Sequence, residues 1–246
     1  MDEKKRYAEQ WEESSQFFYS NNDYFWMCNQ IKQYHIVLEI GCGTGQSTLA
    51  LVEQGHKVIS VEKNQYCLEK AQSLIRSKGY TYEMLEGSKN DCNVIFILAD
   101  ICDENFSSNL STIAFDIVVC WNVGTYWSQD MFDYYREKLL KYGLTWQQIK
   151  ENPESSYGEF IQWKSCDIAK EFNLPVHFID RGSMLIIEED DPYFISLKDE
   201  FKYSKIKYDN KKSSSMSLGG VPLTVEQQVC FEKSIDIVLA SILLTI

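Results

Sequence analysis

The sequence predicts an α/β protein built on a doubly wound, mainly parallel β-sheet with helices on both faces. Between residues 34 and about 127, short apolar runs alternate with stretches of helical periodicity. Apolar residues occupy successive positions in these runs, which indicates strands that are buried on both faces. A glycine-rich turn joins the first strand to the helix after it, an arrangement typical of doubly wound sheets. A chain of 246 residues suits one such domain with insertions.

The elements of the first half follow from local patterns. Residues 1–33 carry aromatic side chains among polar ones, which predicts one or two amphipathic helices. Apolar runs predict strands, and helical periodicity between them predicts helices. The predicted strands are 35–40, 57–61, 94–98 and 115–120, and the predicted helices are 46–54 and 65–78.

The second half, residues 128–246, is expected to complete the sheet. Its predicted helices are 131–142, 158–172 and 225–244, its predicted strands are 176–179 and 184–187, and residues 211–215 are predicted to form a flexible loop. No repeat and no firm linker interrupts the chain. We therefore predict one domain over residues 1–246, in three parts: 1–33, 34–127 and 128–246.

Charge and cysteine usage narrow the classes of partner. The net charge of −12 disfavours binding to nucleic acid or to an anionic membrane. One basic cluster, which we interpret as a solvated strand or loop face, comprises Lys202, Lys205, Lys207, Lys211 and Lys212. Eight cysteines are scattered without a C-x-x-C pair, so no metal site is predicted. Reduced thiols and the absence of an apolar leader at the N-terminus favour a cytoplasmic protein.

The most informative segment is Val37-Leu38-Glu39-Ile40-Gly41-Cys42-Gly43-Thr44-Gly45. Glycines between a strand and a helix let a ligand approach the backbone, and the helix directs its positive end at that ligand. Glu62 ends the second strand, 17 residues after Gly45, where a carboxylate can accept hydrogen bonds from ribose hydroxyls. A nicotinamide or flavin cofactor is the second choice, because the dinucleotide pattern requires a glycine where Gln46 stands.

This segment resembles the first motif of the class I S-adenosylmethionine-dependent methyltransferases. The resemblance covers about residues 34–127 and implies a Rossmann-like fold with S-adenosylmethionine as cofactor. It implies that the glycine loop contacts the methionine portion of the cofactor, that Glu62 holds the ribose, and that Asp100 lies beside the adenine. The implied cofactor-binding residues are Glu39, Gly41, Cys42, Gly43, Gly45, Glu62, Lys63, Asp100, Ile101 and Trp121.

The residues after the fourth predicted strand bear on the methyl acceptor. Cys120-Trp121-Asn122-Val123 lacks the prolines found at this point in methyltransferases that modify amino groups of DNA, which disfavours DNA bases as acceptors. Because methyl transfer from a sulfonium releases a neutral thioether, positioning supplies much of the catalysis and no base is obligatory. The weak catalytic candidates are Asn122, Tyr126 and His177. Six aromatic residues are candidate pocket walls, with Trp121 and Tyr126 favoured over Tyr7, Trp11, Trp26 and Trp127.

The leading hypothesis is therefore a methyltransferase for a small-molecule acceptor. An RNA or protein methyltransferase, a non-catalytic S-adenosylmethionine-binding module and a nicotinamide enzyme remain open as alternatives. The N-terminal helical segment is predicted to cover the cofactor as a lid, because it is rich in aromatic residues and directly precedes the first strand.

Overall fold

The computed structural model describes residues 2–85, 91–121, 129–188, 191–216 and 234–246. Its helices are α1 (Glu3–Ser20), α2 (Asp23–Gln30), α3 (Gln46–Glu53), α4 (Gln65–Ser77), α5 (Phe106–Leu110), α6 (Gln129–Tyr142), α7 (Trp146–Glu151), α8 (Pro153–Glu171) and α9 (Pro192–Glu200). Its strands are β1 (Ile36–Ile40), β2 (Lys57–Glu62), β3 (Tyr82–Met84), β4 (Val94–Leu98), β5 (Ile117–Trp121), β6 (Val176–Gly182), β7 (Lys205–Ser215) and β8 (Ile235–Thr245).

The strands form one mixed sheet in the order β3-β4-β2-β1-β5-β6-β8-β7. The strands from β3 to β6 in this order pair in parallel, whereas β8 pairs antiparallel with both β6 and β7. The chain order reverses on either side of β1, so the crevice at the carboxyl ends of β1, β2, β4 and β5 is the expected ligand site of such a sheet. The predicted doubly wound, mainly parallel α/β fold is confirmed.

Both faces of the sheet are buried, as the continuous apolar runs predict. On β1, Val37 belongs to the core cluster that also contains residues of α1 to α4. Its neighbours Leu38 and Ile40 belong to the opposite cluster, which contains residues of α5 to α9. Because successive side chains of a strand point to opposite faces, β1 contributes to both cores. The carboxyl edge of the sheet is thus held between two packed layers of helices.

Three predictions for the second half are wrong. Residues 235–245 form the strand β8, not a helix, and residues 211–215 continue β7 where a loop is predicted. Residues 184–187 form no strand, since Met184 and Leu185 are 76% and 57% exposed outside the sheet. The apolar run 235–245 is buried at almost every position between β6 and β7, so it lacks the alternation that distinguishes a strand from a buried helix.

Four short elements of the structure are missing from the sequence prediction, namely β3, α5, α7 and α9. The strand β3 spans three residues at the sheet edge, too few to show a period. Among the described residues, no helix combines the length and the apolar character needed to span a bilayer.

Candidate functional site

The glycine loop between β1 and α3 forms the floor of the site. Gly41, Gly43 and Gly45 all have positive φ, at 75°, 55° and 93°, a region that side chains with a Cβ rarely adopt. A Cβ on Gly43 would lie 2.1 Å from Nε1 of Trp11, and one on Gly45 would lie 2.8 Å from the backbone of Ala71. The loop therefore requires glycine both for its conformation and for its close approach to α1 and α4.

Glu62 ends β2 and turns its carboxylate towards this loop. Its Oε2 accepts a hydrogen bond from the amide of Gly43 at 2.9 Å, and its Oε1 accepts one from the amide of Asn64 at 2.8 Å. Burial raises the pKa of Glu62, and these two hydrogen bonds oppose the rise by stabilising the anion. Each carboxylate oxygen has a further lone pair, so a fixed Glu62 can still accept hydroxyl donors.

A cavity opens at the carboxyl ends of β1, β2 and β4. Its walls are formed by Trp11, Ile40, Gly41, Gly43, Val61, Glu62, Lys63, Ala99, Asp100, Ile101, Tyr157 and Ile161. Its volume is about 70 Å³, well below the roughly 300 Å³ at the small end of ligand sites. A wider space of about 590 Å³ adjoins it and shares Lys63, Ala99 and Asp100 with it. The crevice is thus narrow at the glycine loop and wide beyond Asp100.

Helix α1 narrows the crevice at the glycine loop. Trp11 packs directly on Gly43 and lines the cavity. Four residues later, the hydroxyl of Ser15 donates to Oε1 of Gln46 at 2.8 Å and lies 2.9 Å from the hydroxyl of Thr44. Glu12 on the same helix pairs with Lys70 of α4 at 2.6 Å. The N-terminal helix is therefore fastened over the loop by contacts of Glu12 and Ser15, which follow Trp11 in the helix.

Glu39, Cys42 and Gly45, three of the residues implied to bind the cofactor, do not line the cavity. Glu39 is 1% exposed, and its carboxylate accepts hydrogen bonds from Ser47, Thr48 and Ser60 at 2.5, 2.6 and 2.8 Å. Cys42 is buried and donates its thiol to the carbonyl of Gly43, and Gly45 packs on α4. In this structure these three residues hold the glycine loop against the neighbouring elements and do not face the cavity.

His177 and Trp121 form a buried pair on the neighbouring strands β6 and β5. The indole N–H of Trp121 donates to Nδ1 of His177 at 2.8 Å, and Nε2 of His177 lies 2.8 Å from the hydroxyl of Ser241. Because Nδ1 accepts, Nε2 carries the proton and donates to Ser241. Burial lowers the pKa of His177 to about 3. The prediction of His177 as a possible general base is corrected, since both of its ring nitrogens are engaged inside the core.

Lys63, Asp100 and Ile101, which are predicted to bind the cofactor, line the cavity together with two residues that the sequence reasoning missed, Tyr157 and Ile161. The ammonium of Lys63 donates to the hydroxyl of Tyr157 at 2.5 Å and lies 4.0 Å from the centre of its ring. Burial lowers the pKa of Lys63, and the nearby charges of Asp100 and Glu62 oppose this shift. Tyr157 and Ile161 come from α8, which is distant in sequence, and no motif marks them.

The remaining candidates are Asn122 and the aromatic residues that are predicted to form pocket walls. Asn122 and Tyr126, as well as Trp127, lie outside the described residues. Among the other aromatic candidates, Trp11 lines the cavity, whereas Trp26 packs at the margin of the core on the face of α1 to α4. Trp121, which the sequence favoured, is held by His177 and is not part of the described cavity wall. No group of three or more His, Cys, Asp or Glu side chains in the described part of the chain is arranged to hold a metal ion.

Comparison with known families gives one match. Residues 37–141 match the family described as "Methyltransferase domain". That range begins in β1 and ends in α6, so it contains the glycine loop, Glu62 and Asp100. No curated protein matches the chain.

Solved structures with a similar fold share little sequence with this chain. A methyltransferase described as S-adenosylmethionine-dependent from Agrobacterium tumefaciens is 12% identical, with a TM-score of 0.49, over 92% of this chain and 62% of that one. The N-terminal domain of EvdMO1 with S-adenosylhomocysteine bound is 12% identical, with a TM-score of 0.48, over 91% and 79%. TehB from Haemophilus influenzae is 15% identical, with a TM-score of 0.45, over 91% and 61%. The chain spans only 40% of the chain in another structure of EvdMO1. Likenesses this distant do not inform the chemistry.

Proposed function

We propose that the chain transfers a methyl group from S-adenosylmethionine to a small-molecule acceptor, because residues 37–141 match the methyltransferase domain family. The family match supports the class I methyltransferase resemblance of the glycine motif and, with it, S-adenosylmethionine as the cofactor. What we propose beyond the family match is that the chain catalyses the transfer and that its acceptor is a small molecule.

One observation carries the proposal: Glu62 and the glycine loop lie together at the carboxyl edge of the sheet. The hydrogen bond from Gly43 to Glu62 brings the predicted ribose acceptor against the backbone that is predicted to contact the methionine portion. Asp100, which is implied to lie beside the adenine, lines the same cavity as Glu62 and Lys63. These residues therefore suit an adenosyl ligand in kind.

The available space fits such a ligand only after a shift of Trp11. The narrow end of the crevice, at about 70 Å³, is too small for a nucleoside with an amino-acid tail, whereas the wide end adjoins Asp100. We propose that α1 is a lid whose Trp11 moves to admit the cofactor and then covers it. Deleting residues 1–30 would not test this cleanly, because Phe18 and Met27 are buried in the core.

Within this proposal the chain's own residues bind, orient and exclude water. Bound S-adenosylmethionine supplies an electrophilic methyl group. Glu62 would accept hydrogen bonds from the ribose, and the bare backbone of Gly41 and Gly43 would allow close approach of the ligand. Trp11 would exclude water from the loop and present an aromatic face to the cationic ligand. No general base is assigned, because His177 is engaged in the core and positioning can supply much of the rate.

A small acceptor is favoured by charge and by shape. A net charge of −12 opposes a polyanionic substrate. Helix α1, fastened at Ser15 and Glu12, leaves a narrow cavity at the loop, which suits a small molecule better than a folded macromolecule. An RNA or protein acceptor is the second candidate, and a module that binds the cofactor without turnover is the third.

The experiment is an assay for S-adenosylhomocysteine with a panel of small amines, phenols, thiols and carboxylates, run beside RNA and protein acceptors. The proposal predicts product formation with at least one small-molecule class and none with the macromolecules. Turnover confined to RNA or protein would contradict the small-acceptor proposal. Saturable cofactor binding without product across the whole panel would favour the non-catalytic module.

A further inference from the structure

Three buried polar side chains connect α1 with the glycine loop. Ser15 lies on α1, Thr44 lies within the loop, and Gln46 begins α3. They are 1%, 1% and 4% exposed, so their contacts with one another are shielded from water. Ser15 stands four residues after Trp11, which covers the loop, and three residues before Phe18, which is buried in the core. The connection therefore lies between the side chain that has to move to admit a ligand and the side chain that anchors the helix.

The hydroxyl of Ser15 has more hydrogen-bond acceptors around it than it has protons to donate. Its Oγ lies 2.8 Å from Oε1 of Gln46 and 2.9 Å from Oγ1 of Thr44. On its own helix it lies 2.8 Å from the carbonyl oxygen of Trp11 and 3.2 Å from that of Glu12. Oγ1 of Thr44 in turn lies 2.7 Å from Oε1 of Gln46. Each hydroxyl carries one proton, so these contacts cannot all be hydrogen bonds at the same time.

Two arrangements of the two protons leave both hydroxyl groups hydrogen-bonded. In the first, Thr44 donates to Ser15 and Ser15 donates to Gln46, so α1 is bonded to the loop. In the second, Thr44 donates directly to Gln46. Ser15 then donates to the carbonyl of Trp11 within α1, a bond that serine in a helix commonly makes. The second arrangement contains no bond between α1 and the loop.

The second arrangement lowers the free energy needed to lift α1. A buried hydroxyl without a partner costs more free energy than one net hydrogen bond contributes, and such a cost would keep the helix on the loop. Here both Ser15 and Thr44 keep a partner when the helix lifts, so only the bonds between Ser15 and the loop are given up. The neighbouring ion pair of Glu12 and Lys70 is partly exposed to water and adds little resistance.

We propose that Ser15, Thr44 and Gln46 form a latch that holds α1 on the glycine loop and sets how often Trp11 moves aside. This inference rests on the proposed function, because the ligand that the latch admits is the proposed cofactor. The acceptor of the latch is Gln46, at the position where the dinucleotide pattern requires a glycine, which has no side chain to accept the bond. The residue that separates this loop from dinucleotide sites thus controls the exchange of the cofactor.

The first arm of the test follows α1 in the protein without ligand. Hydrogen–deuterium exchange of the α1 amides is compared in wild type, Ser15→Ala and Ser14→Ala. Ser14 is a matched control, because it is a buried serine of the same helix whose hydroxyl has no hydrogen-bond partner in the described part of the chain. The latch predicts exchange about twofold to tenfold faster in Ser15→Ala, which corresponds to the loss of one net hydrogen bond. Exchange in Ser14→Ala should not rise.

The second arm follows the exchange of a ligand. The association and dissociation rate constants for S-adenosylhomocysteine should both rise about twofold to tenfold in Ser15→Ala and stay unchanged in Ser14→Ala. A double variant, Ser15→Ala with Gln46→Met, tests whether the two residues act through one contact. Methionine removes the acceptor oxygen with little change in side-chain length. Because Ser15→Ala already breaks the latch, Gln46→Met should add nothing to either rate constant in that background.

Several outcomes would overturn the latch. A folded Ser15→Ala protein that matches Ser14→Ala in both arms would do so, because the hydroxyl would then hold nothing. Faster exchange of the α1 amides with unchanged rate constants for the ligand, or a further rise caused by Gln46→Met in the double variant, would do so as well. Wild type that does not bind S-adenosylhomocysteine would instead remove the proposed function, and the first arm would still decide whether Ser15 holds α1 on the loop.

Discussion

Glu39, Glu62 and His177 are three buried titratable residues whose roles are decided by their neighbours. Glu39 is held by three hydroxyl groups, and it fixes the start of α3 against β1 and β2. Glu62 is held by two backbone amides and keeps acceptor capacity towards the cavity. His177 is held by Trp121 and Ser241 and keeps none. Of the three, Glu62 is the one suited to bind a ligand.

The state of His177 predicts a specific dependence of stability on pH. Its pKa is lowered from 6.5 to about 3 in the folded protein, so between these values the unfolded chain binds a proton that the folded chain does not. The contribution of neutral His177 to the free energy of unfolding is fully present above about pH 6.5 and is lost as the pH falls towards 3. In that window the unfolding free energy of wild type should fall by about 1.4 kcal/mol per pH unit more steeply than that of His177→Gln.

Urea unfolding at several pH values measures this difference. Glutamine can accept from Trp121 and donate to Ser241, so the variant keeps the two hydrogen bonds while removing the titration. If the free energy of unfolding depended on pH in the same way for wild type and His177→Gln, a neutral, buried His177 would be contradicted.

At the scale of residues, the sequence could predict only what a local motif fixes. Glu62 and Asp100 follow strands directly, so their distance from the glycine loop is set by the parallel sheet. Tyr157 reaches the site from α8, whose position depends on tertiary packing. The side-chain directions of Glu39 and Trp121 depend on which face of the strand they occupy, and a short buried strand does not reveal this.

Among the elements, α1 does most to determine access to the site. Trp11 fills the space above Gly43, so the cofactor can enter the narrow end of the crevice only when that side chain moves. Trp11→Ala should therefore raise both the association and the dissociation rate constants for S-adenosylhomocysteine several-fold. Stopped-flow binding measures them, with Trp146→Ala, which removes a side chain that is 47% exposed, as the matched control. Rate constants equal to those of wild type in a folded Trp11→Ala protein would rule out the lid.

The elements also show where local pattern fails. The predicted bounds of α3 and α4 agree with the structure within one residue, because each helix follows a clear strand and turn. The sequence predicts a helix where the strand β8 lies, because this strand is buried on both faces along most of its length and its apolar residues therefore do not alternate with polar ones. The lysines of β7 favour a loop prediction, but β7 is an edge strand of the sheet. Lysine is common on edge strands because its charge discourages pairing with another sheet.

Considered as a whole, the molecule is strongly acidic, although a lysine lines the crevice. The net charge is −12, and the lysine is Lys63. We predict that the protein is not retained on heparin at about 0.1 M salt, because the overall field repels polyanions before a local cation can act. Retention that requires higher salt for elution would contradict this prediction and favour the RNA alternative. Elution of a double Lys205→Gln, Lys207→Gln variant would then show whether the β7 lysines are responsible.

The central claim is that the backbone of the glycine loop and the carboxylate of Glu62 together bind an adenosyl ligand. Calorimetry with S-adenosylmethionine and with NAD, on wild type and on Glu62→Gln, tests it most directly, with Glu53→Gln on α3 as the control. The account predicts binding of S-adenosylmethionine alone, weakened roughly tenfold to hundredfold in Glu62→Gln and unchanged in Glu53→Gln. Equal affinity of wild type and a folded Glu62→Gln protein, or tighter binding of NAD, would contradict it.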